Sequence, residues 1–531
     1  MAVLPISGAR AAGIFYIRGG GNGHGIGLSQ YGAYGYALHG AGYQSILAHY
    51  YQGTALGATS PDQPVRVLLS TGTGTVSGAS SAGATRLDPT QVYTVKVQSD
   101  GRLILLDAAN RRVGPAFVAP LVVTGPAPLT VPGVGSFRGA LEFRPDGQGG
   151  VQTVNAVALD DYVRGVVAAE MPSGWAPQAL EAQAVAARTY AITTTVSGNG
   201  YNLYDDTRSQ MYGGVGAETP ATDAAVLATR GQVVTYQGHP VVTYFFASSG
   251  GYTENIENAW PGSSPEPWLR GVADPYDAAG GDPYHRWSMQ LSLRAAAAKL
   301  GGLLRGGLIG ITVTRHGVSP RILQASVTGT QGTTTVTGGQ LQQAFGLLTT
   351  DAAFTTITTN AVVNPPGGSP GAGGAGAAGG GAAGLSGSAG ANGLIRHAVA
   401  YRLSGSVFPA RAGTTYLIQQ LRAAGWQTIG RARLKSAGSY LAPVPGAGTY
   451  RIQILQLNGP PVVAAPKRAA AARWAAARQE LSALLRLQRG QGPALPVGRL
   501  ARYAWPLAGD RRPLRPVPLL LRPAGQHQRR R

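Results

Sequence analysis

Residues 159–192 read LDDYVRGVVAAEMPSGWAPQALEAQAVAARTYAI, and they place one carboxyl group, that of Glu170, where its chemistry would change. Tyr162, Val163, Val166 and Val167 recur at helical spacing, and Asp160 and Asp161 suit the N-terminal turn of such a helix. Pro172 restricts Met171 and lacks an N–H, so the helix would stop with Glu170 at its C-terminal end. A carboxylate there meets the negative pole of the helix, and Met171 and Trp175 stand ready to desolvate it. Both effects push its pKa upward, toward a general acid that keeps its proton near neutral pH. A second helix would open at Pro177 and run through Leu180, Ala184, Ala187 and Tyr190, with an alanine face for close packing. Gln183 and Arg188 would project polar groups near one another from it. Spacing alone equally allows a plain amphipathic hairpin whose glutamate only caps or salt-bridges.

A second unusual stretch, GGGNGHGIGLSQYGAYGYA over residues 19–37, sets one histidine among glycines. Glycine loses the most backbone freedom on folding, so such a run implies positive φ or close backbone approach. Asp205 and Asp206 of YDDTRSQMYGG are read first as a turn and second as stabilisers of positive charge. His239 and His285, in GHPV and YHRW, show no ligand spacing, and the chain has no cysteine, so no metal and no cofactor is expected.

The segments GGGNGHGIGLSQYGAYGYALHGAGYQSILAHYYQGT, LDDYVRGVVAAEMPSGWAPQALEAQAVAARTYA, YDDTRSQMYGGV, YFFASSGGYTEN and VTGGQLQQAFGL together resemble the sporulation stage II protein D and amidase-enhancer family of bacterial cell-wall proteins. The resemblance implies a peptidoglycan lytic transglycosylase that cleaves the bond between N-acetylmuramic acid and N-acetylglucosamine and leaves 1,6-anhydro products. It places the acid/base on Glu170, and the family's arginine in AARTY on Arg188. Gln183, Gln210 and Tyr212 would join Arg188 in contacting sugar amides and rings. Ser248 and Ser249, in a small-residue turn, would approach an N-acetyl group. His24, Ser29 and Gln30 would be carried by the glycine loop into the groove that holds Glu170. That loop usually closes the family's domain, whereas here it opens the chain, an order that requires the two ends to lie side by side. The alternative is a non-catalytic wall-binding protein that stimulates an N-acetylmuramoyl-L-alanine amidase. Glycan strands, and a cell-wall amidase, are the expected partners, with an extracytoplasmic location.

These residues need elements to hold them. The chain has 531 residues, 44% of them hydrophobic, with 79 glycines and 36 prolines. An α+β fold is expected: a mixed α/β core with an inserted β-rich subdomain, then a Gly/Ala linker and a small all-β sandwich. The boundaries read 1–60 for the glycine-rich segment of the core, 61–155 for the β-rich subdomain and 156–360 for the catalytic core. The linker follows at 364–394, the sandwich at 395–465 and a basic, disordered tail at 466–531. The net charge of +21 invites a nucleic-acid partner, but residues 467–531 carry 15 Lys and Arg against Glu480 and Asp510. Basicity is therefore mostly a property of the tail, and no nucleic acid is expected. No run of about 18 apolar residues predicts a membrane span, and no signal peptide is visible at the start.

Overall fold

The strand Val151–Ala158 is buried at Val151, Thr153, Val154, Asn155 and Val157, its alternation interrupted by a register shift between Thr153 and Val154, and runs directly into the first helix of the site. In the computed structural model, which describes residues 12–196, 200–363, 401–435 and 438–464, four helices matter most: α1 (Gln30–Leu38), α2 (Tyr43–Tyr50), α3 (Leu159–Glu170) and α4 (Pro177–Thr193). α3 carries Asp160 and Asp161 in its first turn, facing the positive end of its dipole. It ends at Glu170 because Met171, with φ −125° and ψ 142°, is extended ahead of Pro172. α4 starts with Pro177 in its first turn and packs against α1, α2 and α3. Twelve of its residues from Ala179 to Ala191 are buried, its alanines letting neighbouring backbones come close.

The segment expected as a β-rich subdomain builds two sheets. One has seven strands, with Val151–Ala158 between Pro64–Gly72 and Ala140–Pro145 and with Leu203–Tyr204 at its edge. The other has six, from Gly74–Ser77 to Gly135–Phe137. Their inward residues, among them Val76, Leu105, Phe137, Leu141 and Phe143, share one apolar core with Val163, Val166 and Leu180 of α3 and α4. The fold is α+β.

A further sheet of five strands joins distant parts of the chain. Its order is Trp287–Ser292, Ala12–Gly19, Ala352–Val363, Tyr401–Phe408 and Ser439–Val444. Ala12 pairs with Thr359 and Gly19 with Ala352, so the first described strand lies beside the end of the 156–360 segment. Residues 401–464 form strands, among them Tyr401–Phe408, Thr415–Arg422, Gly425–Arg433, Ser439–Val444 and Gly448–Ile454. They were expected as a separate sandwich, yet Tyr401–Phe408 hydrogen-bonds along Ala352–Val363 from Thr356↔Phe408 to Val363↔Tyr401. A twelve-residue strand leaves a long row of unpaired N–H and C=O groups, and this pairing satisfies them. The expected linker at 364–394 and basic tail at 466–531 lie outside the described residues.

The continuity of this sheet is testable at Gly405, where a Cβ would collide with the carbonyl of Thr358 and the ring of Tyr440. Gly405→Ala is expected to destabilise the chain by about 1–3 kcal/mol in denaturant unfolding, the usual cost of overpacking. An unchanged midpoint would show that these strands are not packed together in solution.

Candidate functional site

Glu170 is half-buried at the last position of α3. Its Oε1 accepts the backbone N–H of Met211 at 2.8 Å, and its Oε2 accepts Nε2–H of Gln30 at 3.1 Å. Burial raises its pKa above the ordinary glutamate value, and the two donors, which favour the charged form, offset only part of that rise. Among the described residues no cation lies within ion-pair distance of it. The carboxyl therefore holds its proton more tightly than a solvated one, while two N–H groups stand ready to stabilise it once the proton has gone.

Each donor is placed by buried anchors. The segment before Met211 turns at Asp206, whose carboxylate accepts the Arg208 N–H at 2.9 Å, which makes the Asp205–Asp206 pair the turn expected first. The chain then alternates. Gln210 points inward, accepting from the Tyr162 hydroxyl at 2.9 Å and donating to the Ala187 carbonyl at 3.3 Å. Tyr212 points inward too, donating to Oδ1 of Asn155 at 2.8 Å and packing on Tyr162 with centroids 4.8 Å apart. Both are buried, and both were expected to touch sugar; instead they peg this irregular segment so that the Met211 N–H between them faces Glu170.

Gln30 opens α1, whose N-cap is Ser29, accepting from the Gly32 N–H at 3.2 Å. The glycine loop before it holds Gly21, Gly23, Gly25 and Gly27 at φ of 79°, 107°, 88° and 74°, which residues with a Cβ rarely adopt. His24 does not enter the groove. Its Nδ1 accepts the Ile26 N–H at 3.0 Å, which leaves the ring proton on Nε2 to be donated to the Phe245 carbonyl at 3.1 Å. Burial lowers its pKa to about 4, so it stays neutral and ties the loop to the strand Phe245–Phe246. Of the three loop residues expected at the site, only Gln30 reaches Glu170.

Arg188 and Gln183 also lie away from it. Arg188 is fully buried, donating to Asp160 Oδ1 at 2.6 Å and to the Gln232 carbonyl at 3.2 Å. Gln183 is fully buried, and neither of its amide atoms has a partner among the described residues. The reason is common to both: α4 is covered on several sides, so its polar side chains serve the interior. Ser248 and Ser249 are buried as well. Ser248 Oγ donates to Asp282, Ser249 Oγ donates to Asp274 at 2.8 Å, and the Ser249 and Gly250 N–H groups both donate to Asp277 at 3.0 Å. They complete a buried acidic nest beneath α1, in which Ser29 Oγ reaches Asp277 Oδ1 at 3.1 Å. Burial, then the charge of Asp277, pushes Asp274 up to about 7. His285 donates from Nδ1 to Asp277 at 3.0 Å, and with Asp282 these groups gather three donor atoms within 4.8 Å, the spacing a cation would need. The sequence reading missed this nest; the D-x4-D-x2-H spacing of Asp277, Asp282 and His285 was its only trace.

Tyr31, the residue after Gln30, and Trp175, five residues after Glu170, belong to one aromatic cluster. Trp175 stacks on Tyr34, with centroids 4.6 Å apart and planes 4° apart, and meets the edge of Tyr31 at 4.8 Å. All three rings are half-buried.

This arrangement of an α3 glutamate facing a following loop coincides with a known domain. Residues 147–236 match the model of the stage II sporulation protein family, SpoIID. The relatives that align with this part of the chain are stage II sporulation proteins D and an amidase enhancer. It is 33% identical over 218 residues to stage II sporulation protein D of Bacillus subtilis (strain 168), covering 38% of this chain and 61% of that protein. It is 31% identical over 216 residues to stage II sporulation protein D of Bacillus amyloliquefaciens, covering 38% of this chain and 60% of that protein. It is also 39% identical over 130 residues to the amidase enhancer of B. subtilis, covering 24% of this chain and 17% of that protein. The chain thus spans about three fifths of the two sporulation proteins. The family model covers Glu170 and the Met211 donor, whereas Gln30, Ser29, His24, Ser248 and Ser249 lie outside it.

The balance at Glu170 has a pH consequence. Its folded pKa stands above the unfolded one, so between the two values the folded chain binds more protons and stability falls as pH rises through that window. Glu170→Gln removes this loss, and is expected to raise the thermal midpoint at pH 7 relative to the parent but not at pH 3. A variant less stable than the parent at pH 7 would refute the raised pKa.

Proposed function

We propose that this chain is a lytic transglycosylase that cleaves peptidoglycan glycan strands, with Glu170 as the single acid and base, working at the cell wall outside the cytoplasm. The observation that carries the reading is a half-buried carboxyl with a raised pKa, free of any ion pair among the described residues and hydrogen-bonded to two N–H donors. In this reading protonated Glu170 gives its proton to the oxygen linking N-acetylmuramic acid to N-acetylglucosamine. The C1–O bond breaks, and the Met211 and Gln30 N–H groups stabilise the carboxylate left behind. That carboxylate then takes the proton of the muramyl C6 hydroxyl as O6 closes on C1, which regenerates the acid and yields a 1,6-anhydro end. Hydrolases that admit water need two carboxyl groups. An internal nucleophile needs only one. The Trp175–Tyr31 face would pack against the apolar face of a sugar ring.

The sequence likeness to an amidase enhancer favours a second reading, a wall-binding protein that stimulates an N-acetylmuramoyl-L-alanine amidase. Glu170→Gln separates the two. The first reading expects release of anhydromuramyl fragments from purified glycan to fall by about 10²–10⁴-fold, as read by mass analysis. Unchanged release would sink it, and amidase stimulation that survives the substitution would favour the second. In the parent, release should also decline as pH rises through the raised pKa of Glu170, because the proton donor is then lost.

A further inference from the structure

Residues 401–464 hold seven Lys and Arg and no aspartate or glutamate. None of the seven is in an ion pair among the described residues. Earlier in the chain the habit is different: Arg66, Arg138, Arg144, Arg208 and Arg270 each meet a carboxylate at 2.6–3.1 Å. Surfaces ordinarily mix the two signs, because unrelieved like charge repels itself. The C-terminal strands carry charge of one sign only.

Sheet register gathers three of these charges on one face. Thr415–Arg422 lies between Gly425–Arg433 and Gly448–Ile454. Tyr416 and Ile418 point into the core with Ile452 and Ile454, so Thr415, Leu417 and Gln419, which alternate with them, belong to the outer face. Arg433 stands opposite Thr415, Arg431 opposite Leu417 and Arg451 opposite Gln419, and directly opposed residues share a face. Arg431 and Arg433 are exposed. Arg451 is held in place, its Nε donating to Gln419 Oε1 at 2.8 Å and its Cζ lying 4.2 Å from the Trp426 ring centroid. Edge strands take up charge to deter pairing with another chain, which accounts for Arg431 and Arg433. It does not account for Arg451, two strands away, or for the missing acids.

We infer that this outer face binds a polyanion, a wall polymer of repeating phosphodiesters, through Arg431, Arg433 and Arg451. Guanidinium groups are suited to phosphate, since their N–H pairs match its oxygens. The chain itself offers no substitute: residues 467–531 carry 15 Lys and Arg against Glu480 and Asp510, and a second copy would bring the same sign. Single-stranded nucleic acid, the other flexible phosphodiester, is gripped by rows of stacking rings, whereas the ring on this face, Trp426, is already covered by Arg451. The choice of a wall polymer among polyanions rests on the wall-directed reading above.

The test is titration of the full chain, over a range of salt, with poly(glycerol phosphate), with a single-stranded DNA oligonucleotide of the same number of phosphates and with phosphatidylglycerol vesicles. Poly(glycerol phosphate) should bind most tightly. Arg431→Gln combined with Arg433→Gln should weaken it about tenfold and lower the slope of log K against log salt by about 1.4, two contacts at about 0.7 each. Arg431→Lys with Arg433→Lys keeps both charges and should keep most of the binding. Arg305→Gln with Arg315→Gln removes equal charge from exposed positions elsewhere and should leave binding as in the parent. Thermal midpoints matching the parent's confirm that each variant is folded. Tighter binding of the oligonucleotide or the vesicles, undiminished binding by the Arg431/Arg433 glutamine variant, or an equal loss in the Arg305/Arg315 variant would each overturn the inference. The readout is binding alone, so it stands apart from whether Glu170 cleaves glycan.

Discussion

One carboxyl group, caught between the cost of burial and the attraction of two N–H donors, is the constraint on which this structure turns. Without burial the carboxyl would hold its proton no more tightly than a solvated one does. Without the donors the anion would find no support once the proton left. Placing both influences on one side chain requires that neither donor be able to drift, and much of the surrounding fold can be understood from that need.

The Met211 N–H is fixed because its neighbours on both sides are pegged into the core, Gln210 between Tyr162 and Ala187 and Tyr212 on Asn155. Gln30 is fixed from below. Ser29 caps α1 and reaches into the nest of Asp274, Asp277 and Asp282, to which Ser248, Ser249, Gly250 and His285 are hydrogen-bonded, although Oδ1 of Asp274 has no partner among the described residues. Polar residues that resemble ligand contacts thus act one layer further in. Buried polar groups joined in such networks hold a single geometry, because breaking one bond leaves others unsatisfied in a medium of low dielectric.

The glycine loop performs a related task through the backbone. Four glycines at positive φ fold it tightly enough for Gly21 and Asn22 to lie against Ser248, and His24 closes it with both ring nitrogens engaged. The same turns leave Arg321 pressed under Gly25. Its strand, Ala12–Gly19, is held between Trp287–Ser292 and Ala352–Val363, and the second pairing ties it to residues more than three hundred positions later.

Sequence alone determined what local chemistry dictates. Pro172 stopping α3 at Glu170, Pro177 opening α4, the glycine loop's need for positive φ and the strand runs of 401–454 each follow from a few neighbouring residues, and each was legible. The direction of the Glu170 pKa was legible too, since helix end and apolar neighbours are encoded within a dozen positions. What only tertiary structure decided is which polar side chains face outward. Arg188, Gln183, Gln210, Tyr212, Ser248, Ser249 and His24 have the chemistry of ligand contacts, but burial depends on what packs over them from elsewhere in the chain. The Met211 donor was invisible because every residue has such an N–H, and only the approach of a loop to a helix end gives one of them a role. Asp274, Asp277 and Ser29 are separated by some 245 residues, and no local pattern reports a contact that the fold alone creates.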